Sequence, residues 1–161
     1  MTGDDFLQLA GKFAAIFHDP ASCRTIIGRA YYGGFHLAKA FLESLGIKPP
    51  RNANTHVYIQ HCLLNSGNPD LATTGMVLNS LHSDRIKADY DLSPSPVDSA
   101  SVARASVERA HQIQSALQEC GGEDERRLIR ESVASYLARL YSARSPQYRL
   151  ARPPMSCTFL A

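Results

Sequence analysis

The chain has 161 residues, of which 44% are hydrophobic, and its formal net charge at pH 7 is +2. This length predicts one domain, or one domain with a tail, that buries a sizeable core, and no apolar run reaches the length of a membrane span. So small a net charge gives no global argument for a nucleic-acid partner. The first residues, Met1–Asp5, carry acids rather than the basic and apolar regions of a signal peptide, so we expect a cytoplasmic protein with no membrane contact.

Helical periodicity dominates the chain and predicts an all-α protein. We expect five helices followed by a sixth, amphipathic one, at 4–17, 20–45, 55–64, 69–90, 97–119 and 123–142. Cys120-Gly121-Gly122 marks a boundary between a helical domain at 1–120 and a C-terminal part at 121–161. Beyond its helix, this C-terminal part is rich in arginine and proline, and we expect it to be a flexible tail.

Apolar residues at helical spacing predict which faces are buried. In the first helix these are Phe6, Leu9, Ala10, Phe13, Ile16 and Phe17. In the second they are Ile27, Tyr31, Phe35, Ala38, Leu42 and Leu45. In the sixth they are Leu128, Ile129, Val133, Tyr136, Leu137 and Leu140, and this helix docks either on the bundle or on a second copy of the chain.

Two glycines, Gly33 and Gly34, lie inside the second predicted helix. Glycine in a helix interior costs about 1 kcal/mol relative to alanine. We therefore expect a compensating close approach at this point, by a neighbouring helix or by a ligand.

The four cysteines do not have the spacing of a metal site or a disulfide framework: they are Cys23, Cys62, Cys120 and Cys157. We expect buried thiols in a reducing compartment, with no metal and no cofactor.

Two segments, Arg29–His36 and Arg85–Leu92, place an arginine and hydrogen-bonding aromatic residues within predicted helices. Such groups are costly to bury unless they are paired, so they either face solvent or converge on something polar. If the two helices pack together, one face would carry the candidate site residues Arg29, Tyr32, His36, Arg85, Asp89 and Tyr90. That face would suit a phosphate, a nucleotide or an RNA strand. A purely structural network is the rival interpretation, with an Arg85–Asp89 pair on the helix surface and a bond from His36 to a carboxylate such as Asp89.

Three landmarks then follow one another over about 100 residues. Gly28–Leu42 (GRAYYGGFHLAKAFL) is similar to a helix written SRAYYAxFHxARALL, Thr55-His56 stands at a "tH" helix start, and Arg85–Asp91 (RIKADYD) is similar to an RxxADYD ending. Together they resemble the HEPN family, the "higher eukaryotes and prokaryotes nucleotide-binding" domains. The resemblance implies an up-and-down helical bundle and a homodimer. It also implies one of three roles: an RNA-cleaving toxin, a partner of a small nucleotidyltransferase antitoxin, or an accessory nucleotide- or RNA-binding domain.

Active ribonucleases of that family carry an arginine followed by a histidine, R-x(4–6)-H, on a late helix. Arg85 matches the arginine, but Tyr90 stands at the first histidine position. Histidine titrates near neutral pH, whereas tyrosine has a reference pKa of about 10 and serves better as a hydrogen-bond donor or stacking group. The leading hypothesis is therefore a HEPN-like domain that binds a nucleotide or RNA without cleaving it. Arg85 would contact phosphate, Tyr32 and Tyr90 would bond or stack, and Asp89 and His36 would orient the arginine.

Two alternatives stay open. The first is a metal-independent ribonuclease toxin that uses Arg85 with His36 or His56. The only literal R-x4-H, Arg51 to His56, precedes the third helix and is interpreted as coincidental, because capping and local bonding after Thr55 account for His56. The second alternative is a structural module that binds a protein partner.

Overall fold

The computed structural model describes residues 1–144 as six α-helices and one 3₁₀ turn, with no β-strand among these residues. The elements are α1 (Gly3–Ile16), α2 (Pro20–Ser44), α3 (Thr55–Leu64), α4 (Pro69–Tyr90), the 3₁₀ turn (Pro96–Asp98), α5 (Ala100–Glu119) and α6 (Glu123–Arg144). This confirms the predicted all-α helical bundle with an additional C-terminal helix. The expected flexible tail falls on 145–161, outside the described residues.

Side-chain caps set the helix boundaries. Asp19 accepts a 3.0 Å hydrogen bond from the Ser22 N–H at the start of α2. Asn68 does the same for α4, accepting from the Leu71 N–H at 3.0 Å. The chain leaves α2 through Gly46, whose φ of +80° favours glycine. The predicted start of the fifth helix was too early, because residues 96–98 form the separate 3₁₀ turn and Ser99 caps α5.

Helix α2 lies at the centre of the bundle and contacts α1, α4 and α5. Its predicted apolar face is confirmed as buried: Ile27, Tyr31, Phe35, Ala38, Leu42 and Leu45. Helix α3 packs on α4, and α6 packs on α3. This places α2, the start of α3 and the end of α4 against one another, which positions the candidate site.

The two interior glycines of α2 are explained by neighbouring helices. A Cβ atom on Gly33 would lie 3.2 Å from Leu7 of α1, and one on Gly34 would lie 3.0 Å from Ile113 of α5. The close approach expected at this position is therefore made by α1 on one side and α5 on the other.

The predicted buried face of α1 was confirmed at Ala10 and in part at Phe13, but it was wrong at other positions. Leu7 and Ala10 are buried, whereas Leu9 and Ile16 are 39% and 68% exposed. The reason lies in the crossing with α2. Helix α1 turns one of its two glycines, Gly3, towards α2 and so brings the two backbones together.

Helix α6 docks on the bundle within the same chain. Ile129 and Val133 are buried, and His61 of α3 shares a 3.0 Å hydrogen bond with Tyr136. Leu128 and Leu140 were also predicted to lie on the apolar face, but they are 57% and 41% exposed.

Three of the four cysteines are confirmed as free, buried thiols: Cys23, Cys62 and Cys120. Burial raises the pKa of all three, to about 11 for Cys62 and Cys120. Cys157 lies outside the described residues. None of the described helices combines the length and the apolar character that crossing a bilayer requires.

Candidate functional site

Arg85 lies in the last turns of α4 and is enclosed by aromatic rings. Its guanidinium carbon is 5.5 Å from the ring centres of both Tyr32 and Tyr90. Nη2 donates a 3.0 Å hydrogen bond to the Tyr32 hydroxyl, and Nε lies 2.7 Å from Asp89 Oδ2. The contact with Asp89 is an ion pair rather than an aligned hydrogen bond, because the buried Nε–H does not point at an acceptor. With 17% of its side chain exposed, Arg85 is a fixed cation at the edge of the core.

Helices α1 and α2 form the adjoining wall. His36 stacks on Phe6 of α1, with ring centres 5.4 Å apart and planes 18° apart. Phe6 also contacts Tyr32 at 6.0 Å, and the guanidinium of Arg29 lies 5.6 Å from the Phe6 ring centre. Three predicted site residues of α2 therefore meet around a phenylalanine that the sequence had assigned only to the core.

A pair of stacked histidines completes the site. The rings of His56, at the start of α3, and His82, on α4, are 5.1 Å apart and 14° from parallel. The hydroxyl of Tyr31 shares a hydrogen bond with His56 Nδ1, and the Tyr31 ring is 5.2 Å from His82. Because His82 precedes Arg85 by three residues, both side chains lie on one face of α4. We call the whole set the Arg85 cluster: Phe6, Arg29, Tyr31, Tyr32, His36, His56, His82, Arg85, Asp89 and Tyr90.

Burial disfavours the protonated form of each histidine in the Arg85 cluster. It lowers the pKa of His36, His56 and His82, and nearby positive charge lowers each further. For His82 that charge is Arg85, and for His36 it is Lys39. These imidazoles are neutral at pH 7 and will take up protons more readily when an anion arrives beside them.

Tyr31 and Arg85 keep their ordinary charge states. Burial, with a contribution from Tyr32, raises the pKa of Tyr31, so its hydroxyl stays protonated. For Arg85, burial acts against the charged form, but Tyr32, Asp89 and Tyr90 outweigh it and raise the pKa. Arg85 is therefore a permanent cation at the centre of the cluster, beside neutral imidazoles.

The two sequence segments converge as their spacing predicted, and all six candidate residues lie in the Arg85 cluster. The predicted Arg85–Asp89 pair is present, but the prediction of a hydrogen bond from His36 to Asp89 was wrong. Asp89 faces Gly28, which precedes His36 by eight residues, a distance of about 12 Å along α2. The binding role of the six residues stays a prediction.

Two histidines were misjudged from sequence. Local capping does not account for the role of His56, because its ring belongs to the Arg85 cluster. Arg51, the arginine of the literal R-x4-H, is exposed in the preceding loop. No sequence pattern described above gave His82 a role. The three-residue spacing from His82 to Arg85 was the signal that would have found it.

The arrangement suits the binding of an anion that carries an aromatic group. Arg85 offers charge and N–H donors, the histidines offer further donors, and Tyr90, 72% exposed, offers a ring face. Among residues 1–144, no three His, Cys, Asp or Glu side chains group in a way that would hold a metal ion. Comparison with protein-family models, curated proteins and solved structures gives no match.

Proposed function

We propose that the chain is a HEPN-like domain that binds the phosphate of a nucleotide or of RNA at the Arg85 cluster. The observation that carries this proposal is the placement of Arg85 between Tyr32 and Tyr90, beside the stacked His56–His82 pair. A guanidinium has five N–H groups, and the contacts with Tyr32 and Asp89 use only part of them. Donors therefore remain for a phosphate, and the exposed ring of Tyr90 is placed to stack on a base.

Fluorescence anisotropy with a labelled single-stranded RNA and with labelled nucleotides tests the proposal. Hydrogen bonds to charged groups contribute about 1.5–3 kcal/mol, so Arg85→Ala should weaken binding at least about tenfold. Arg127→Ala is the matched control, because it removes one charge from an exposed pair with Asp124 on α6. Equal affinity of wild type and Arg85→Ala, or equal losses in both variants, would contradict the proposal.

The His56–His82 pair favours metal-independent RNA cleavage as a second candidate function. Cleavage needs a base for the 2′-hydroxyl and an acid for the leaving oxygen. The two imidazole ring centres are 5.1 Å apart, and a charge on His82 disfavours one on His56, so an arriving phosphate can favour a proton on one ring while its neighbour stays neutral. Arg85, at the same site, would stabilise the charge that develops on phosphate.

RNA cleavage in the presence of EDTA tests this second function. The expected products carry 2′,3′-cyclic phosphates, DNA of the same sequence is not cut, and His56→Ala and His82→Ala each abolish cleavage. Intact RNA after incubation with the pure protein would dispose of the ribonuclease, and cleavage that survives in the double variant would show that the His56–His82 pair does not carry it. Neither result would affect the proposal of binding.

The HEPN resemblance also leads us to propose a cytoplasmic homodimer and a small nucleotidyltransferase as partner. The resemblance of the three sequence landmarks is the whole support for these proposals. Light scattering on the purified chain measures its mass in solution. Co-purification with a nucleotidyltransferase encoded beside it tests the partner.

A further inference from the structure

A second groove lies where α6 packs against the connection that follows α2. Its volume is about 600 Å³. One side is formed by residues 44–48 and the other by α6, with Tyr58 of α3 between them. It is separate from the Arg85 cluster, because His56 and Tyr58 are two residues apart and so point about 200° apart around α3.

The charge of this groove is positive and uncompensated. Lys48 and Arg130 line it, and none of its described lining residues is an aspartate or a glutamate. Both side chains are exposed, and within residues 1–144 neither has a carboxylate oxygen within 4.0 Å. The groove between α4 and α5 differs, because acidic side chains line it, including Glu108 and Glu119. Two unpaired cations beside a concave surface raise its local positive potential.

Packing fixes the position of Arg130. One turn earlier, Arg126 donates a 2.7 Å hydrogen bond to Ser44 Oγ and lies over the ring of Phe41, which ties α6 to the end of α2. Ile129, next to Arg130, is buried in the core. Arg126 therefore serves the docking of the helix, whereas Arg130 lines the groove without an ion-pair partner among residues 1–144.

The floor of the groove is apolar and aromatic. Leu137 and Ala134 of α6 face the half-buried ring of Tyr58, which also forms a side-chain hydrogen bond with Cys62. Two cations along an aromatic and aliphatic floor match the requirements of single-stranded nucleic acid, in which charged phosphates alternate with flat bases.

We propose that this groove binds single-stranded RNA, with phosphates at Lys48 and Arg130 and a base against Tyr58 and Leu137. The choice of RNA rests on the proposed function of the Arg85 cluster, whereas the site itself rests on the groove. A strand that reaches both sites passes around the start of α3. Short RNA therefore occupies one site at a time, and longer RNA gains affinity by occupying both.

The test uses the full chain, a labelled 16-nucleotide single-stranded RNA and anisotropy at several salt concentrations. The groove variant is Lys48→Ala with Arg130→Ala. The control is Lys12→Ala with Arg104→Ala, which removes the same two charges from exposed positions on α1 and α5. Circular dichroism and thermal melts confirm that both variants are folded.

The groove variant should bind the 16-mer at least about tenfold more weakly, and the control should stay within about twofold of wild type. Because each phosphate contact on a single strand contributes about 0.7 to the slope of log K against log salt, two lost contacts should reduce that slope by about 1.4. Equal losses in groove variant and control would overturn the proposal, as would an unchanged slope. Competition by a polyglutamate peptide as effective as that by unlabelled RNA would also overturn it, because the groove would then recognise charge alone.

Arg85→Ala, measured alongside, separates the two sites. Weaker binding in Arg85→Ala alone supports the Arg85 cluster and overturns the groove, and weaker binding in the groove variant alone does the reverse. A wild-type chain that binds no RNA overturns both.

Discussion

The crossing of α1 over α2 makes Gly3→Ala the sharpest test of the packing that builds the site. A Cβ atom on Gly3 would lie 2.8 Å from the backbone nitrogen of Leu37 and 2.9 Å from the carbonyl oxygen of Gly33. Both atoms belong to the backbone of α2, so neither moves away by changing a rotamer. The two helices must separate by several tenths of an ångström, and Phe6 of α1 moves with them.

Overpacking of this kind typically costs about 1–3 kcal/mol. In a domain of this size, 1 kcal/mol corresponds to about 2–4 °C in Tm, so Gly3→Ala should lower Tm by between about 2 and 12 °C. Gly11→Ala on the same helix is the control, because a Cβ there meets no atom within 4 Å. That substitution should gain up to about 1 kcal/mol from helix propensity.

Thermal and urea unfolding of the two variants decide the matter. If Gly3→Ala is as stable as wild type, or if both alanines stabilise the protein alike, then α1 and α2 do not approach as described. The placement of Phe6 as one wall of the Arg85 cluster would then be wrong as well. If Gly3→Ala is destabilised as expected, its affinity for RNA should also fall, because the stacking of Phe6 on His36 is disturbed.

The remaining predictions concern pH, a buried arginine and the thiols. Burial holds the folded pKa values of His36, His56 and His82 below the unfolded value of about 6.5. The free energy of unfolding, measured in urea, should therefore be highest above that pH and should fall from pH 7 to 5. An unchanged free energy would contradict the burial of these rings. Arg24→Ala should lower Tm by several degrees, because Arg24 binds Asp98 and the carbonyls that end α4. Arg127→Ala, which breaks an exposed pair, should leave Tm nearly unchanged, and similar shifts in the two variants would contradict this prediction. In a disulfide-exchange assay, no more than one of the four thiols should react rapidly before unfolding; two or more rapid thiols would show that the described cysteines are accessible.

The helices were predictable because each carries its own local signals. Pro20 and Gly46 bound α2, Asn68 caps α4, and the apolar spacing along α2 repeats without interruption. These signals depend on neighbouring residues in the chain, so a single sequence reveals them. The buried face of α1 was not predictable in the same way, since it depends on which helix crosses it and how closely. Leu7 is buried because Gly33 lies beneath it, which no spacing within α1 indicates.

The candidate site was half predictable. Arg85, Asp89 and Tyr90 lie on one helix, and the pattern of α2 pointed to Tyr32 as their neighbour. The stacking of His56 on His82 joins residues from two helices, and each histidine alone has an ordinary local explanation. Their packing against Tyr31 is a tertiary contact, and it changes the chemistry of the site from one arginine among tyrosines to an arginine beside two imidazoles.

The most direct test of the phosphate site uses the histidines as internal probes. The chain has six, of which His36, His56 and His82 belong to the Arg85 cluster, while His18 and His111 are exposed and lie outside that cluster. Ring resonances of ¹³C,¹⁵N-labelled protein should be followed by NMR during titration with a short single-stranded RNA, at several pH values. Binding at the Arg85 cluster predicts shifts of His56 and His82 and a higher pKa for both in the complex, with His18 and His111 unchanged. Saturating RNA that leaves His36, His56 and His82 unmoved, or that moves all six histidines alike, would contradict the central claim.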